Sequence, residues 1–324
     1  MLDSCGRKID YMRISVTDRC NLRCVYCMPP EGVECVPHGE ILRYEEILRV
    51  VKAGVALGID QYRITGGEPL VRKDVADFIR MVRQTPGVKS VALTTNGVLF
   101  AAMGEALKEA GLDSVNFSMD SMDAETFRRL TRTDAMNDVM EGIRTALRLG
   151  LKTKLNCVPM GPGDGDDWVR LAAMAKDTKL DVRFIEMMPI GLGRGFEAVD
   201  NADVLARLTQ AFGEPVRSAG VHGSGPAEYY DFPGFAGSVG FISAISHAFC
   251  GNCNRVRLTA DGILKPCLCF KDGMNLKTLI WTGVSDEALK DAIADEIMRK
   301  PQRHNFCGGG GGDAENRKMV QIGG

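Results

Sequence analysis

The sequence predicts an α/β chain, an incomplete (β/α)6 barrel of the TIM type with a carboxyl-terminal extension, and three observations carry that prediction. Apolar β-like segments alternate with helical stretches six times, each strand-like segment is followed by Gly, Pro, Asn or Asp, and the rhythm is lost after Gly195. Repeated strand–helix units place parallel strands side by side, with any chemistry at their carboxyl ends. A doubly wound sheet is the competing fold. The boundary divides the chain into residues 1–195 and 196–324.

The elements follow in order. Tyr11–Val16 reads as the first strand, and Tyr44–Leu57, periodic in apolar residues and stopped by Gly58, as the first helix. Strands are expected at Asp60–Thr65, Val88–Thr94, Ser114–Met119, Leu151–Pro159 and Val182–Met187. Helices are expected near Val75–Val82, Ala102–Ala110, Val139–Leu149 and Asp167–Ala175. Beyond the boundary come a helix around Ala202–Phe212, a Gly-rich β-like region and a nearly all-glycine linker from Cys307 to Asp313.

Forty Lys and Arg against 42 Asp and Glu leave a net charge of −2 over 324 residues. Such balance offers no overall field for nucleic acid or acidic lipid, so any anion site is local. Met1–Asp10 has the pattern of neither a signal nor a transit peptide, which leads us to expect a cytoplasmic protein without a membrane partner. The uncharged stretch Phe232–Asn254 is long enough to span a bilayer, but its glycines, serines and cysteines suit a bent, site-forming loop.

Eleven cysteines cannot all pair internally, and in the cytosol their number points to metal ligation or redox chemistry. Cys20, Cys24 and Cys27 form Cys-x3-Cys-x2-Cys directly after the first strand. Three thiolates this close can hold three corners of an iron–sulfur cubane and leave one iron open to a substrate. A structural zinc loop lacking its fourth ligand is the plainer reading. Cys250, Cys253 and Cys267 form a second triplet, folded together by a turn at Ala260-Asp261-Gly262. It suits either a second cluster or a zinc site completed by Cys269 or His247.

The first triplet, with Tyr26 before its last cysteine, resembles the signature of radical S-adenosylmethionine enzymes. Thr65-Gly66-Gly67-Glu68-Pro69 resembles that superfamily's loop against the methionine moiety of the cofactor. The second triplet, Arg183-Phe-Ile-Glu186, Val239-Gly-Phe-Ile-Ser243 and the terminal Gly323-Gly324 resemble the GTP-cyclising branch that opens molybdenum cofactor biosynthesis. The resemblance implies two [4Fe-4S] clusters, S-adenosyl-L-methionine as cofactor and GTP as substrate. It implies the product (8S)-3′,8-cyclo-7,8-dihydroguanosine 5′-triphosphate, passed to cyclic pyranopterin monophosphate synthase. A cellular electron donor and a homodimer complete the expected partners.

By the same resemblance Tyr26, Gly66, Gly67, Glu68, Ser118 and Met188, with Met187 as the alternative to Met188, would meet S-adenosylmethionine. Arg13, Arg63, Thr94, Lys154, Arg255, Val256 and Arg257 would meet GTP, and Gly323 and Gly324 would enter the active site beside the catalytic Arg13, Arg255 and Arg257. The pattern is physically coherent, since Arg255 and Arg257 share one face of a strand, as do Lys154 and Asn156. Arg63 and Lys154 lie in apolar strand segments, where an unpaired charge is expensive. Two rivals remain at this stage: a peptide-modifying member of the superfamily, and a zinc-binding interaction protein without catalysis.

Overall fold

The computed structural model describes residues 1–161, 165–306 and 314–323. Six strands, β1 (Tyr11–Ser15), β2 (Gln61–Thr65), β3 (Ser90–Thr95), β4 (Ser114–Ser118), β5 (Lys152–Cys157) and β6 (Asp181–Ile185), pair in parallel in sequence order. That order lacks the reversal of a doubly wound sheet and is the order of a barrel wall. The connecting helices are α1 (Tyr44–Ala56), α2 (Val75–Gln84), α3 (Phe100–Glu109), α4 (Ala124–Thr131), α5 (Met136–Arg148) and α6 (Gly165–Ala173). All strands and helices expected here are present, with ends moved by at most three residues. The addition is α4, which a polar stretch concealed and which Asp123 caps by accepting from the Thr126 N–H at 2.8 Å.

After α7 (Asn201–Phe212) the chain adds strands to both edges of the wall. A meander of β7 (Val216–Arg217), β8 (Glu228–Asp231) and β9 (Val239–Ile242) joins β6 through β9, in parallel. On the other edge β10 (Arg255–Leu258) runs parallel to β1, followed by antiparallel β11 (Ile263–Lys265) and β12 (Met274–Asn275). Helices α8 (Leu276–Trp281), α9 (Asp286–Met298) and α10 (Met319–Ile322) complete the described fold. The uncharged stretch from Phe232 contains β9, and among the described residues no helix is long and apolar enough to cross a membrane.

Alternation along the strands decides what fills each side of the sheet. Met12 and Ile14, Tyr62 and Ile64, Val91 and Leu93, and Val182 and Phe184 are buried in one hydrophobic core with Ile47, Phe78 and Leu107 of the helices. Most alternate positions, among them Arg13, Ser15, Arg63, Thr65, Thr94, Asn116 and Ser118, are polar, so the inner face of the wall carries charged, amide and hydroxyl groups. Close helix packing also follows from sequence: a Cβ on Gly142 of α5 would stand 2.7 Å from the Gly97 carbonyl oxygen before α3.

Candidate active site

Register assembles the inner face. Arg257 of β10 stands beside Arg13 of β1, and Arg13 beside Arg63 of β2. Two residues further along, Thr94, Asn116, Lys154 and Asp181 form a row across β3 to β6, and Ser118, Asn156 and Arg183 form the next. A cavity of about 310 Å³ opens where the strands end. Cys20, Cys24 and Cys27 line it from the loop after β1, and Cys250, Cys253 and Cys267 from the extension. Gly66, Gly67, Thr94, Ser118, Met188, Tyr26, Arg13, Arg255 and Arg257 line it as well. Met187 is buried beside Gly193 instead, so of the two methionines it is Met188 that faces the cavity.

The thiol environments suit metal-bound sulfur. Cys20 Sγ accepts the Leu22 N–H at 3.4 Å and Asn96 Nδ2 at 3.7 Å, Cys27 accepts the Val320 N–H, and Cys250 Sγ accepts the His304 N–H at 3.4 Å. N–H donors directed at sulfur favour the thiolate, the form that ligates iron. Burial, with the nearby Glu68 for Cys20 and with Cys20 and Asp120 for Cys27, outweighs those donors and pushes the Cys20 thiol up to about 11 and Cys27 up to about 12. Cys253 is also buried, yet Lys300 and Arg255 beside it bring it down to about 7. Among the described residues no three His, Cys, Asp or Glu side chains draw together as around a single metal ion. The six thiols instead line a space wide enough for larger groups.

The glycine pair serves the cysteine loop. Gly67 N–H donates to the Thr17 carbonyl at 2.6 Å and Glu68 N–H to that of Arg19 at 2.8 Å. A Cβ on Gly67 would lie 2.4 Å from the Arg19 oxygen, and one on Gly66 2.8 Å from the Thr17 oxygen. The glycines thus let the loop ahead of Cys20 lie flat on the end of β2, while their open side faces the cavity. Two of the residues expected to meet ligands have side chains engaged elsewhere. Glu68 is absent from the cavity wall: its carboxylate accepts from Thr95 Oγ1 at 2.7 Å, Leu70 N–H at 3.0 Å and Asn96 N–H at 2.6 Å, bracing the turn after β3. Burial raises it to about 7 against those bonds. The Val256 side chain lies in the hydrophobic core, because its two arginine neighbours occupy the inward positions.

Cations are concentrated on the inner face. Burial, then the neighbouring Arg257, hold Arg13 well below the usual guanidinium range. Burial and Arg255 bring Arg257 down to about 10. Arg63 does not line the cysteine cavity; it donates to the Tyr11 hydroxyl and to the Leu93 carbonyl at 3.1 Å. Lys154 also lies outside that cavity, bonded to the His222 carbonyl and, at 2.9 Å, to the Tyr229 hydroxyl. Arg183, to which sequence reasoning gave no role, is buried in the same group and donates to Asn156 Oδ1 at 2.9 Å. The signal was the one used for Arg63, a lone cation in the apolar run Val-Arg-Phe-Ile.

The tail closes over this face. Gly323, at φ 75°, turns its carbonyl to Arg257 Nη1 at 3.0 Å, and a Cβ there would be 2.7 Å from Ser15 Cβ. Only glycine fits such a turn so close to the barrel wall. Met319 and Val320 of α10 line the cavity, which no periodic pattern announced in so short a helix. Gly324 and Cys307 lie outside the described residues. Cys269 lines the cavity with Cys267, its Sγ accepting the Asn305 N–H at 3.4 Å.

Comparison with known proteins agrees with this geometry. Residues 14–175 match the Radical SAM superfamily and residues 180–306 match Molybdenum Cofactor Synthesis C. The "GTP 3′,8-cyclase" of Desulforamulus reducens is 47% identical over 329 residues, and that of Alkaliphilus oremlandii 44% over 328, each covering 100% of both chains. The crystal structure of Streptococcus suis SuiB bound to S-adenosylmethionine covers 88% of this chain and 68% of its own, at 14% identity and a TM-score of 0.61, and shares the fold. This chain belongs to the GTP 3′,8-cyclase family of the radical S-adenosylmethionine superfamily.

Proposed function

We propose that the cavity converts GTP to (8S)-3′,8-cyclo-7,8-dihydroguanosine 5′-triphosphate, the first step of molybdenum cofactor biosynthesis. The observation that carries the reading is the group of mutually repelling cations Arg257, Arg13 and Arg255 in the cavity lined by the two cysteine triplets, with Arg63 next to Arg13 in the same row. Like charges in a low-dielectric interior are unfavourable until a polyanion arrives, and a triphosphate supplies that charge. Cys20, Cys24 and Cys27 would hold the [4Fe-4S] cluster that the superfamily implies, and we assign a second cluster to Cys250, Cys253 and Cys267. With S-adenosylmethionine, the first group supplies the one-electron chemistry that starts hydrogen abstraction from the ribose.

The chain's own residues do the rest. Gly66, Gly67, Ser118 and Met188, with Tyr26 held by its 2.7 Å bond to Asp120, form the wall against which the cofactor would lie. Thr94, Arg13, Arg255 and Arg257 would orient GTP, with Arg63, Lys154 and Arg183 further along the phosphate chain. The Gly323 carbonyl fixes Arg257, and Met319 and Val320 help exclude water from the reacting centre. Residues 1–195 would form the barrel, and 196–324 the part that completes both edges and carries the second cysteine set. Passage of the product to cyclic pyranopterin monophosphate synthase and assembly as a homodimer are parts of the same proposal.

Anaerobic turnover with GTP, S-adenosylmethionine and a strong reductant tests the reading. The cyclised nucleotide and 5′-deoxyadenosine are expected; 5′-deoxyadenosine with GTP unchanged would overturn the substrate assignment. A pH dependence follows from Lys154, which burial and then Arg183 bring down to about 8. A depressed cation keeps its charge below that value and loses it above, so GTP affinity should fall as pH rises through about 8 while S-adenosylmethionine affinity holds. Titrations of both ligands from neutral pH upward, with Lys154→Met as the pH-insensitive control, check it.

A further inference from the structure

The segment between β7 and β8 passes the amino-terminal ends of the barrel strands. Ser224 Oγ bonds Gln61, the first residue of β2, and His222 Nδ1 lies 3.0 Å from Asp181 Oδ2, on the first residue of β6. Tyr229 of β8 stands over this end. Its ring is stacked on that of His222 at 3.9 Å between centroids, and against β9 it occupies space that a side chain would take: a Cβ on Gly240 would fall 2.8 Å from the ring. Its hydroxyl accepts from Lys154 Nζ at 2.9 Å, and the Arg183 side chain bonds the same residue.

Those two cations come from neighbouring strands and repel one another, and each has many rotamers. A phenol oxygen offers two lone pairs, enough to accept from both, and it is neutral. A carboxylate there would fix the cations equally well but would neutralise charge that an anion needs. Asp181 Oδ2 does lie 3.4 Å from Lys154 Nζ, but it is shared with His222 Nδ1 at 3.0 Å. The hydroxyl therefore fixes the spacing of the cations while leaving most of their field for a ligand. This cluster is also the far end of the cation trail. Arg13, Arg255 and Arg257 line the cysteine cavity, whereas Arg63 and Lys154 do not.

We propose that Tyr229 is a positioning residue that holds Lys154 and Arg183 for the phosphate farthest from the base, and so makes this end of the barrel select a triphosphate over a diphosphate. The inference rests on the reading of the inner cations as the triphosphate site. Ordering the two side chains before the ligand arrives removes an entropic penalty that binding would otherwise carry.

The test is anaerobic titration of the iron-loaded, full-length protein with GTP and with GDP, for wild type, Tyr229→Phe and Lys154→Met. Phenylalanine keeps the ring against Gly240 and His222 and removes only the hydroxyl. Tyr229→Phe should weaken GTP binding roughly tenfold and GDP binding less than about twofold, with S-adenosylmethionine binding unchanged. Lys154→Met should narrow the same preference for GTP. If Lys154→Met narrows it and Tyr229→Phe does not, or if Tyr229→Phe weakens both nucleotides equally, the proposal for Tyr229 is overturned. If Lys154→Met leaves GTP binding at the wild-type value, the triphosphate reading itself fails, and Tyr229 with it.

Discussion

Cys24→Ala is expected to abolish S-adenosylmethionine cleavage. Cys24 sits between Cys20 and Cys27 in the loop after β1, and its thiol is held well above the usual range by burial, then by Asp120 and the neighbouring cysteines. Such a thiol gives up its proton to a metal rather than to water, so removing it removes one of three anchors and leaves two that cannot hold a cluster. The loop lies outside the hydrophobic core, whose strand residues include Met12, Ile14, Tyr62 and Ile64, so the thermal unfolding midpoint should stay close to wild type. Iron content at the first site and 5′-deoxyadenosine formation are the measurements. Cleavage at the wild-type rate in the alanine variant would sink the assignment of this triplet.

Arg257→Ala should have the next largest effect, because one guanidinium serves two purposes. It is a buried cation of the inner row beside Arg13, and its Nη1 holds the Gly323 carbonyl at 3.0 Å. A charge-assisted contact to phosphate contributes about 1.5–3 kcal/mol, a roughly tenfold to hundredfold change in affinity. GTP binding should weaken by that factor while S-adenosylmethionine binding is kept, and cyclisation should fall further than occupancy explains, since the tail loses its anchor. Titration of both ligands on one anaerobic preparation separates these effects. Equal losses for the two ligands would instead indicate a folding defect.

Much of the barrel was legible because strand and helix signals are local. In Tyr11–Ser15 and Gln61–Thr65 the period of two is visible in five residues, and it already places Arg13 and Arg63 opposite the apolar positions. The spacings Cys20–Cys24–Cys27 and Cys250–Cys253 and the glycine pair are equally local, since ligands three or four residues apart must meet in a loop, and Cys267 is brought in by the turn at Ala260-Asp261-Gly262. The short α4 and α10 escaped because eight and four residues are too few for a helical period to stand out.

The amino-acid sequence alone therefore determined the order of elements, the two cysteine triplets and which strand residues face inward, all of which depend on neighbours within a turn or two of chain. Tertiary structure decided which partners those residues meet. Glu68 has the chemistry to meet an ammonium group, but strand pairing brings the Thr95 and Asn96 turn to it first. Arg183 becomes part of the cation group through its register with Asn156, and Tyr229 joins from a strand 75 residues beyond Lys154 in the chain. Gly323 reaches Arg257 across 66 residues for the same reason. A side chain's direction follows from its own backbone, whereas its contacts depend on the register between segments that only folding brings together.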